Sequence, residues 1–346
     1  MTIQIHTNIP LPNYTTMKLG GNARFMAPVT SPDEVAMLYQ NAQKQNLSVF
    51  VLGGGSNVIA HDEGFDGIVL LNRIKGFDVV SDDKSTAVIR VGAGEVWDEV
   101  VERAVGVGLS GIETMSAIPG TAGAAPVQNI GAYGQELSDT LESVEAYDTV
   151  SGKMVLLSAE DCKLSYRHSI FRGEAAGRYC ITAVSLRLFR ASPQPPFYAG
   201  LQRYFDENSI TIYTPEIIRK AVMAIREEKL PNPVERPNSG SFFKNAIIES
   251  WQFEDLKNQY PDMPSFDMPN SNYKIPTGWL IEQTGLKGQL LHGMRVHDKN
   301  ALVLINESAS SYADLAEARS EIIQAVYDKF RIQIEQEPLE LTKTLR

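Results

Sequence analysis

The segment Ser116–Leu137, SAIPGTAGAAPVQNIGAYGQEL, constrains this chain more than any other. Gly120, Gly123, Gly131 and Gly134 alternate with small residues, and few side chains here are large enough to build a core. Such a backbone suits close approach to a flat or extended ligand, with its amide groups as donors and Gln128 and Asn129 adding side-chain donors and acceptors. The competing reading is a small-residue packing segment. A second cluster tilts the balance: VLGGGSNV puts Gly53, Gly54 and Gly55 directly after a β-branched run, where backbone N–H groups can curl around an anion. Neither the Gly-x-Gly-x-x-Gly fingerprint nor the Lys-Ser/Thr of a phosphate loop is present, so the pair of clusters points to a large dinucleotide held without a Rossmann motif.

Local signals place these clusters in an alternating α/β frame. Ser31-Pro32-Asp33-Glu34 predicts a capped helix running to about Gln45,. SVFVL, GIVLLN and AVIRVG read as strands, and EVWDEVVERAVGVG as a helix with Val96, Val100, Val101, Ala104 and Val105 on one side,. From Ser143 onward strands dominate: SVEAYDTV, KMVLLS and CITAVSLRLF. SPQPPFYAG reads as an irregular loop,. Thr214-Pro215-Glu216 opens a second capped helix with a stripe of Ile217, Ile218, Ala221, Val222 and Ile225. After the Pro-broken loop KLPNPVERPNSG come a helix at TGWLIEQTG, a strand at ALVLIN, a helix over Tyr312–Phe330 and a final strand at RIQIEQE. The length of 346 residues suggests two or three domains,.

The net charge of −10 argues against a nucleic-acid partner, which needs a basic surface,. Cys162 and Cys180 are too few for a disulfide framework and are expected as reduced thiols in a cytoplasmic protein,. His292 and His297 have no acidic or cysteine neighbour at metal-ligand spacing, so they are expected as solvated histidines and no metal is expected,. The N-terminal residues lack the basic start and long apolar core of a signal peptide. No run approaches the roughly 20 apolar residues that cross a bilayer.

Three places carry reactive side chains. Arg167 stands between Tyr166 and His168, where a rigid guanidinium could grip a carboxylate; a surface ion pair is the bland alternative,. Glu335 and Glu337 are two apart, on one face if the segment is extended,. In PNSGSFFKNA, Ser241 follows Gly240 and precedes Phe242 and Phe243. No histidine or nucleophile-elbow pattern accompanies it. From these residues alone the stretch is a glycine turn and a short packing strand.

Taken in order, VLGGGSNV, LNRIKG, VGAGEVW, AIPGTAGAAPVQNIGAYGQEL, YRHSIFR, KLPNP, GSFFKN, LKG and ALVLIN resemble the UDP-N-acetylenolpyruvoylglucosamine reductase family from about Asn13 to Glu337. YRHSIFR and PPFYAG resemble its longer, tyrosine-loop branch. The resemblance implies an α/β (α+β) protein: a two-part FAD-binding domain of the vanillyl-alcohol-oxidase (PCMH) type plus a smaller α+β substrate-binding domain. The implied boundaries are 1–72 with 331–346 for the first FAD subdomain, 73–212 for the second, and 213–330 for the substrate domain. It implies a cytoplasmic, monomeric enzyme using FAD and NADPH to reduce UDP-N-acetylglucosamine-enolpyruvate to UDP-N-acetylmuramate for peptidoglycan.

The same resemblance assigns roles. Ser241 would protonate the carbanion, Arg167 would hold the substrate carboxylate, and Glu337 would sit against the same group, useful as a donor if protonated. Gly53, Gly54, Gly55, Ser56 and Asn57, with Ile118, Pro119, Gly120, Gly123, Ala124, Gln128, Asn129 and Gly131, would hold the flavin. Tyr198, Arg226, Lys229, Asn245 and Asn300 would contact the substrate, while Lys244 and the two phenylalanines would shape the site. The chain departs from the pattern at Glu335-Gln336-Glu337-Pro338-Leu339, which lacks a basic residue after the proline and leaves Glu335 as a rival to Glu337. Asn300 stands where glutamine is expected, and NYTTMKLGG matches only loosely. A flavin oxidase of the same fold would leave GSFFKN and Lys229 unexplained. A non-catalytic flavin or sugar-nucleotide binder would have no need of Ser241, Arg167 and Glu337 together.

Overall fold

The strand Phe65–Asn72 is apolar along nearly its whole length, which suits a position covered on both faces,. In the computed structural model, which describes residues 3–344, this strand pairs in parallel with Asn22–Val29 on one side and Val49–Leu52 on the other. His6–Pro10 adds an antiparallel edge. Helix α1, Pro32–Lys44, starts as its sequence demands: Ser31 accepts from the Glu34 N–H, and Asp33 and Glu34 lie in the first turn. Its Val35, Leu38 and Ala42 cover the face that carries Ile68 and Leu70. The opposite face, with Val69 and Leu71, packs against Leu11, Val58 and Leu341. Leu341 belongs to the strand Leu339–Leu341, which returns from the end of the chain to run parallel beside Val58–Ala60.

A second layer is a five-stranded antiparallel sheet in the order Lys153–Ser158, Leu141–Asp148, Tyr179–Phe189, Thr86–Gly92, Phe77–Asp82. Helix α2, Trp97–Gly106, packs on it through Trp97, Val100, Val101, Ala104 and Val105. Val96, expected on that stripe, is the exposed N-cap residue, and Trp97 takes the buried place. The long glycine segment crosses this layer as a short 3-10 turn, Ala122–Gln128, followed by a small hairpin of Gly131–Ala132 and Gln135–Glu136.

Helices α3, Ala199–Glu207, and α4, Pro215–Lys229, pack on each other through Leu201, Phe205, Ile218, Ala221, Val222 and Ile225. Sequence reading missed α3 because its start lies inside the proline-rich SPQPPFYAG. The remaining part holds a four-stranded sheet, Asn238–Ser241, Val303–Asn306, Met294–Val296, Leu290–Leu291, and a three-stranded one, Ala246–Glu249, Asn272–Ile275, Phe266–Met268. Helices α5, Ser250–Gln259, α6, Thr277–Gln283, and α7, Tyr312–Phe330, complete it. Among the described residues no helix is long and apolar enough to cross a membrane.

Two expectations are corrected. RIQIEQE is not a strand: Ile332 and Ile334 turn into the core beneath α7, and only Phe243 bridges the segment, at Gln336. The strand begins later, at Leu339, where a partner lies alongside. His297 is buried, not solvated; its Nδ1 accepts from the Asn300 N–H, and burial lowers its pKa.

Candidate active site

The two glycine clusters, far apart in sequence, meet in space. A Cβ added to Gly54 would lie 2.9 Å from the Gly120 Cα, and Ser56 Oγ donates to the Pro119 carbonyl at 3.0 Å. Gly55 has φ +64°, and a Cβ there would lie 1.9 Å from the Tyr14 carbonyl oxygen, so no other residue fits the turn,. Among the described residues, the N–H groups of Gly54, Gly55, Ser56 and Asn57 donate no hydrogen bond within the protein. Consecutive free amides on a left-handed turn form an anion cradle, which fits the diphosphate of a dinucleotide such as FAD.

Other expected cofactor residues divide by what their atoms do. Ile118 is half-buried beside Gly120, and Pro119 and Ala124 are exposed. Gly123 packs tightly on Ala93, its N–H donating to the Ala93 carbonyl at 2.9 Å. Asn129 is fully buried, and its side chain serves the loop itself: Nδ2 donates to Glu136 at 2.8 Å and to the Ser165 carbonyl at 3.2 Å, while Oδ1 accepts from the Ser138 N–H. Gly131 contributes its carbonyl to Arg167.

Arg167 sits at the tip of a tight turn closed by reciprocal backbone bonds between Ser165 and His168. Its φ of +53° is a conformation that costs a side-chain-bearing residue about 1–3 kcal/mol,. Spending that strain on an arginine aims the guanidinium inward. Nε donates to Glu337 Oε2 at 3.2 Å, and the two Nη groups reach the Asn129 and Gly131 carbonyls at 3.4 and 3.3 Å. Glu337 is buried, and its Oε1 accepts from Gln128 Nε2 at 3.1 Å. Gln128 Oε1 in turn accepts from Asn57 Nδ2. Segments from four parts of the chain thus converge on one carboxylate. Glu335 is exposed and pairs with Lys244 at 2.9 Å, so Arg167 meets Glu337 and not its rival.

Ser241 ends the strand Asn238–Ser241, opposite Val303, just after Gly240 with φ +72°. Phe242 and Phe243 anchor it from the core, their ring centroids 5.1 Å apart. The Phe242 carbonyl accepts from the Glu337 N–H at 2.8 Å, which brings the serine strand alongside Glu337. The Ser241 hydroxyl is half-buried and has no hydrogen-bond partner among the described residues.

The last turn of α4 carries Arg226 and Lys229. Arg226 is half-buried without an ion pair or side-chain hydrogen bond among the described residues; burial lowers its pKa, opposed by Tyr133 and Asp98. Its guanidinium stays charged, so it is free to take an anion. Lys229 is exposed. Tyr198 caps α3 with its ring edge-on to Tyr133, centroids 5.9 Å apart. Asn245 and Asn300 have local duties: Asn245 Oδ1 accepts from the Thr277 N–H at the start of α6, and Asn300 Oδ1 from the Leu302 N–H within a turn.

Sequence reading overlooked two groups. Arg172 donates to Gln128 Oε1 at 3.0 Å and to the Glu337 carbonyl at 2.6 Å; its place at the end of YRHSIFR was the available signal. Asp98 of α2 binds Arg219 of α4 and the Ala117 N–H, tying the helix that bears Arg226 to the start of the glycine segment. No local pattern announces that pair.

Residues 23–158 match the family described as FAD binding domain, and residues 232–340 match the UDP-N-acetylenolpyruvoylglucosamine reductase C-terminal domain. A UDP-N-acetylenolpyruvoylglucosamine reductase of Burkholderia ambifaria is 39% identical over 332 residues, covering 95% of each chain. The chain belongs to the UDP-N-acetylenolpyruvoylglucosamine reductase family. The reductase of Dechloromonas aromatica is 37% identical over 96% of this chain and 98% of its own. The crystal structure of the family member from Thermus caldophilus superposes with a TM-score of 0.66 at 22% identity, covering 98% of this chain and 99% of that one. A 6-hydroxy-D-nicotine oxidase of Arthrobacter nicotinovorans reaches a TM-score of 0.53 at 13% identity, covering 95% and 86%. Both likenesses carry the fold alone: a PCMH-type FAD-binding domain joined, in this reductase family, to a further α+β domain.

Proposed function

We propose that this chain reduces the enolpyruvyl ether of UDP-N-acetylglucosamine-enolpyruvate to UDP-N-acetylmuramate, a peptidoglycan precursor, with NADPH as reductant, in the cytoplasm. The observation that supports this most is the convergence of Arg167, Glu337, Gln128 and Asn57 beside the unpartnered Ser241 hydroxyl. FAD held by the Gly53–Asn57 and Gly120 loops would, once reduced by NADPH, supply a hydride for the methylene carbon of the substrate. Every other requirement falls on the chain. The carbon next to the carboxylate gains carbanion character, and charge spreads onto that carboxylate. Arg167 takes the carboxylate through its two Nη groups, exchanging long bonds to the Asn129 and Gly131 carbonyls for a charged partner,. Glu337 keeps Nε occupied, and so fixes how the guanidinium fork faces. Ser241 donates its hydroxyl proton to the carbanion; a weak acid suffices because the acceptor is a strong base.

The same reading gives the substrate diphosphate to Arg226 and Lys229 and the closing face to Tyr198, as in the longer, tyrosine-loop branch. It groups residues 1–72 with 331–346, then 73–212, then 213–330. Residues 1, 2, 345 and 346 lie outside the described residues, and the pairing of Leu339–Leu341 with Val58–Ala60 supports the first grouping. The test is spectroscopic. Purified protein should be yellow, bleach anaerobically with NADPH, and recolour on adding the enolpyruvyl sugar nucleotide. No recolouring with the nucleotide would contradict this reading; rapid recolouring by oxygen would point to a flavin oxidase instead, and bound nucleotide without turnover to a non-catalytic binder.

A further inference from the structure

Gln128 bonds to three partners. Its Oε1 accepts from Asn57 Nδ2 and from Arg172 Nη1 at 3.0 Å, while its Nε2 donates to Glu337 Oε1 at 3.1 Å. A side-chain amide has one acceptor end and one donor end, and its orientation follows from its network. The Asn57–Gln128 contact does not set that orientation. Were both amides to turn over together, donor and acceptor would exchange and the bond between them would survive. Gln128 would then offer its oxygen to the Glu337 carboxylate, acceptor against acceptor.

The carboxylate by itself disfavours that turn, and Arg172 adds a second constraint from the other end of the amide. A guanidinium has donors only, so it accepts one orientation of Gln128: oxygen toward Arg172, nitrogen toward Glu337. Its second terminal nitrogen clamps the Glu337 carbonyl at 2.6 Å. One side chain thus fixes both the amide facing the carboxylate and the main chain that carries it. Glu337 then has a donor on each oxygen, Gln128 on one and Arg167 on the other. The groups around Arg172 are Glu337, Glu335 and Arg167; burial lowers its pKa and the two carboxylates oppose that.

We propose that Arg172 is a positioning residue for the reductase reaction: it locks the Gln128 amide, which holds Glu337, which holds the fork of Arg167 that receives the substrate carboxylate. This rests on the roles given above to Arg167 and Glu337. Arg172 itself touches neither substrate nor the reacting atoms.

Arg172→Met keeps the aliphatic stem and removes every donor; Arg172→Lys restores the charge on a single donor nitrogen but not the fixed fork whose two nitrogens serve the Gln128 oxygen and the Glu337 carbonyl separately,. The readout separates the half-reactions. In R172M, reoxidation by saturating sugar nucleotide should slow by about 100-fold, the scale of a misplacement near 1 Å, with NADPH bleaching and flavin content unchanged. R172K should fall between R172M and the wild type. A second readout needs no turnover: the Gln128 side-chain amide should give one set of NMR signals in wild type and two sets, or a displaced set, in R172M. A wild type that the nucleotide does not reoxidise overturns the functional reading and this inference with it. A reactive wild type with R172M equally fast, or with both half-reactions equally slowed, overturns the inference alone.

Discussion

Arg167 Nε and Glu337 Oε2 lie 3.2 Å apart although 170 positions separate them in the chain, and both side chains are largely buried. A buried pair of this kind is a weak source of net stability, because desolvation offsets most of the attraction. Its value lies in geometry. It spends one edge of the guanidinium on the protein and leaves the Nη edge, held only by two long bonds, for a ligand.

That pair separates the two rival carboxylates. Glu337→Gln should slow the reduction of the enolpyruvyl nucleotide by about 100- to 1000-fold, the usual cost of removing one preorganised charge-handling group. Glu335→Gln, which removes only an exposed pair with Lys244, should leave turnover near wild type. Steady-state kcat of the two variants, with flavin content as a check on folding, decides; a larger loss in E335Q would reverse the assignment.

If the two glycine loops hold the flavin as proposed, its retention should depend on their close approach. Gly54→Ala puts a methyl 2.9 Å from the Gly120 Cα, backbone against backbone, with no flexible side chain to give way. The purified variant should carry markedly less flavin, seen as a lower ratio of visible to ultraviolet absorbance. Gly106→Ala, at the end of α2 with nothing within 4 Å of the added methyl, should keep its full complement.

Glu340 couples the chain's end to stability in acid. Burial raises its pKa, but hydrogen bonds from Arg319, Tyr312 and His61 outweigh that and bring the carboxyl down to about 2. Because the folded value lies below the unfolded one, Glu340's contribution is complete above the ordinary carboxylate range and is lost as pH falls from about 4.3 toward 2. Glu340→Gln should therefore lose about 1–3 kcal/mol at neutral pH and show a shallower loss of urea stability between about pH 5 and pH 2 than wild type. Equal slopes would mean that the cluster does not hold the carboxylate.

Much of the frame was legible because its signals are local. Ser31 and Thr214 cap the helices that their Pro-Asp and Pro-Glu neighbours announce, and Tyr312–Phe330 follows its helical pattern to the residue. The glycine clusters were legible as places of close backbone approach because missing side chains are a positive sign, and the two do meet in space. What stayed hidden depends on partners distant in sequence. RIQIEQE has the inward alternation of a strand, yet only a single bridge pairs it, since the residues beside it belong to Phe242–Lys244. His297 is as polar as any surface residue until the Asn300 N–H satisfies it inside. Arg172 and Asp98 act through Gln128, Arg219 and Ala117, and no spacing within YRHSIFR or EVWDE encodes those contacts.

One stopped-flow experiment tests the proton donor directly. Flavin in Ser241→Ala is reduced with NADPH and then mixed anaerobically with the enolpyruvyl sugar nucleotide. Bleaching should keep its wild-type rate while recolouring slows by about 100- to 10,000-fold, the range for loss of a positioned acid. Recolouring at the wild-type rate, or equal slowing of both phases, would contradict the role given to Ser241.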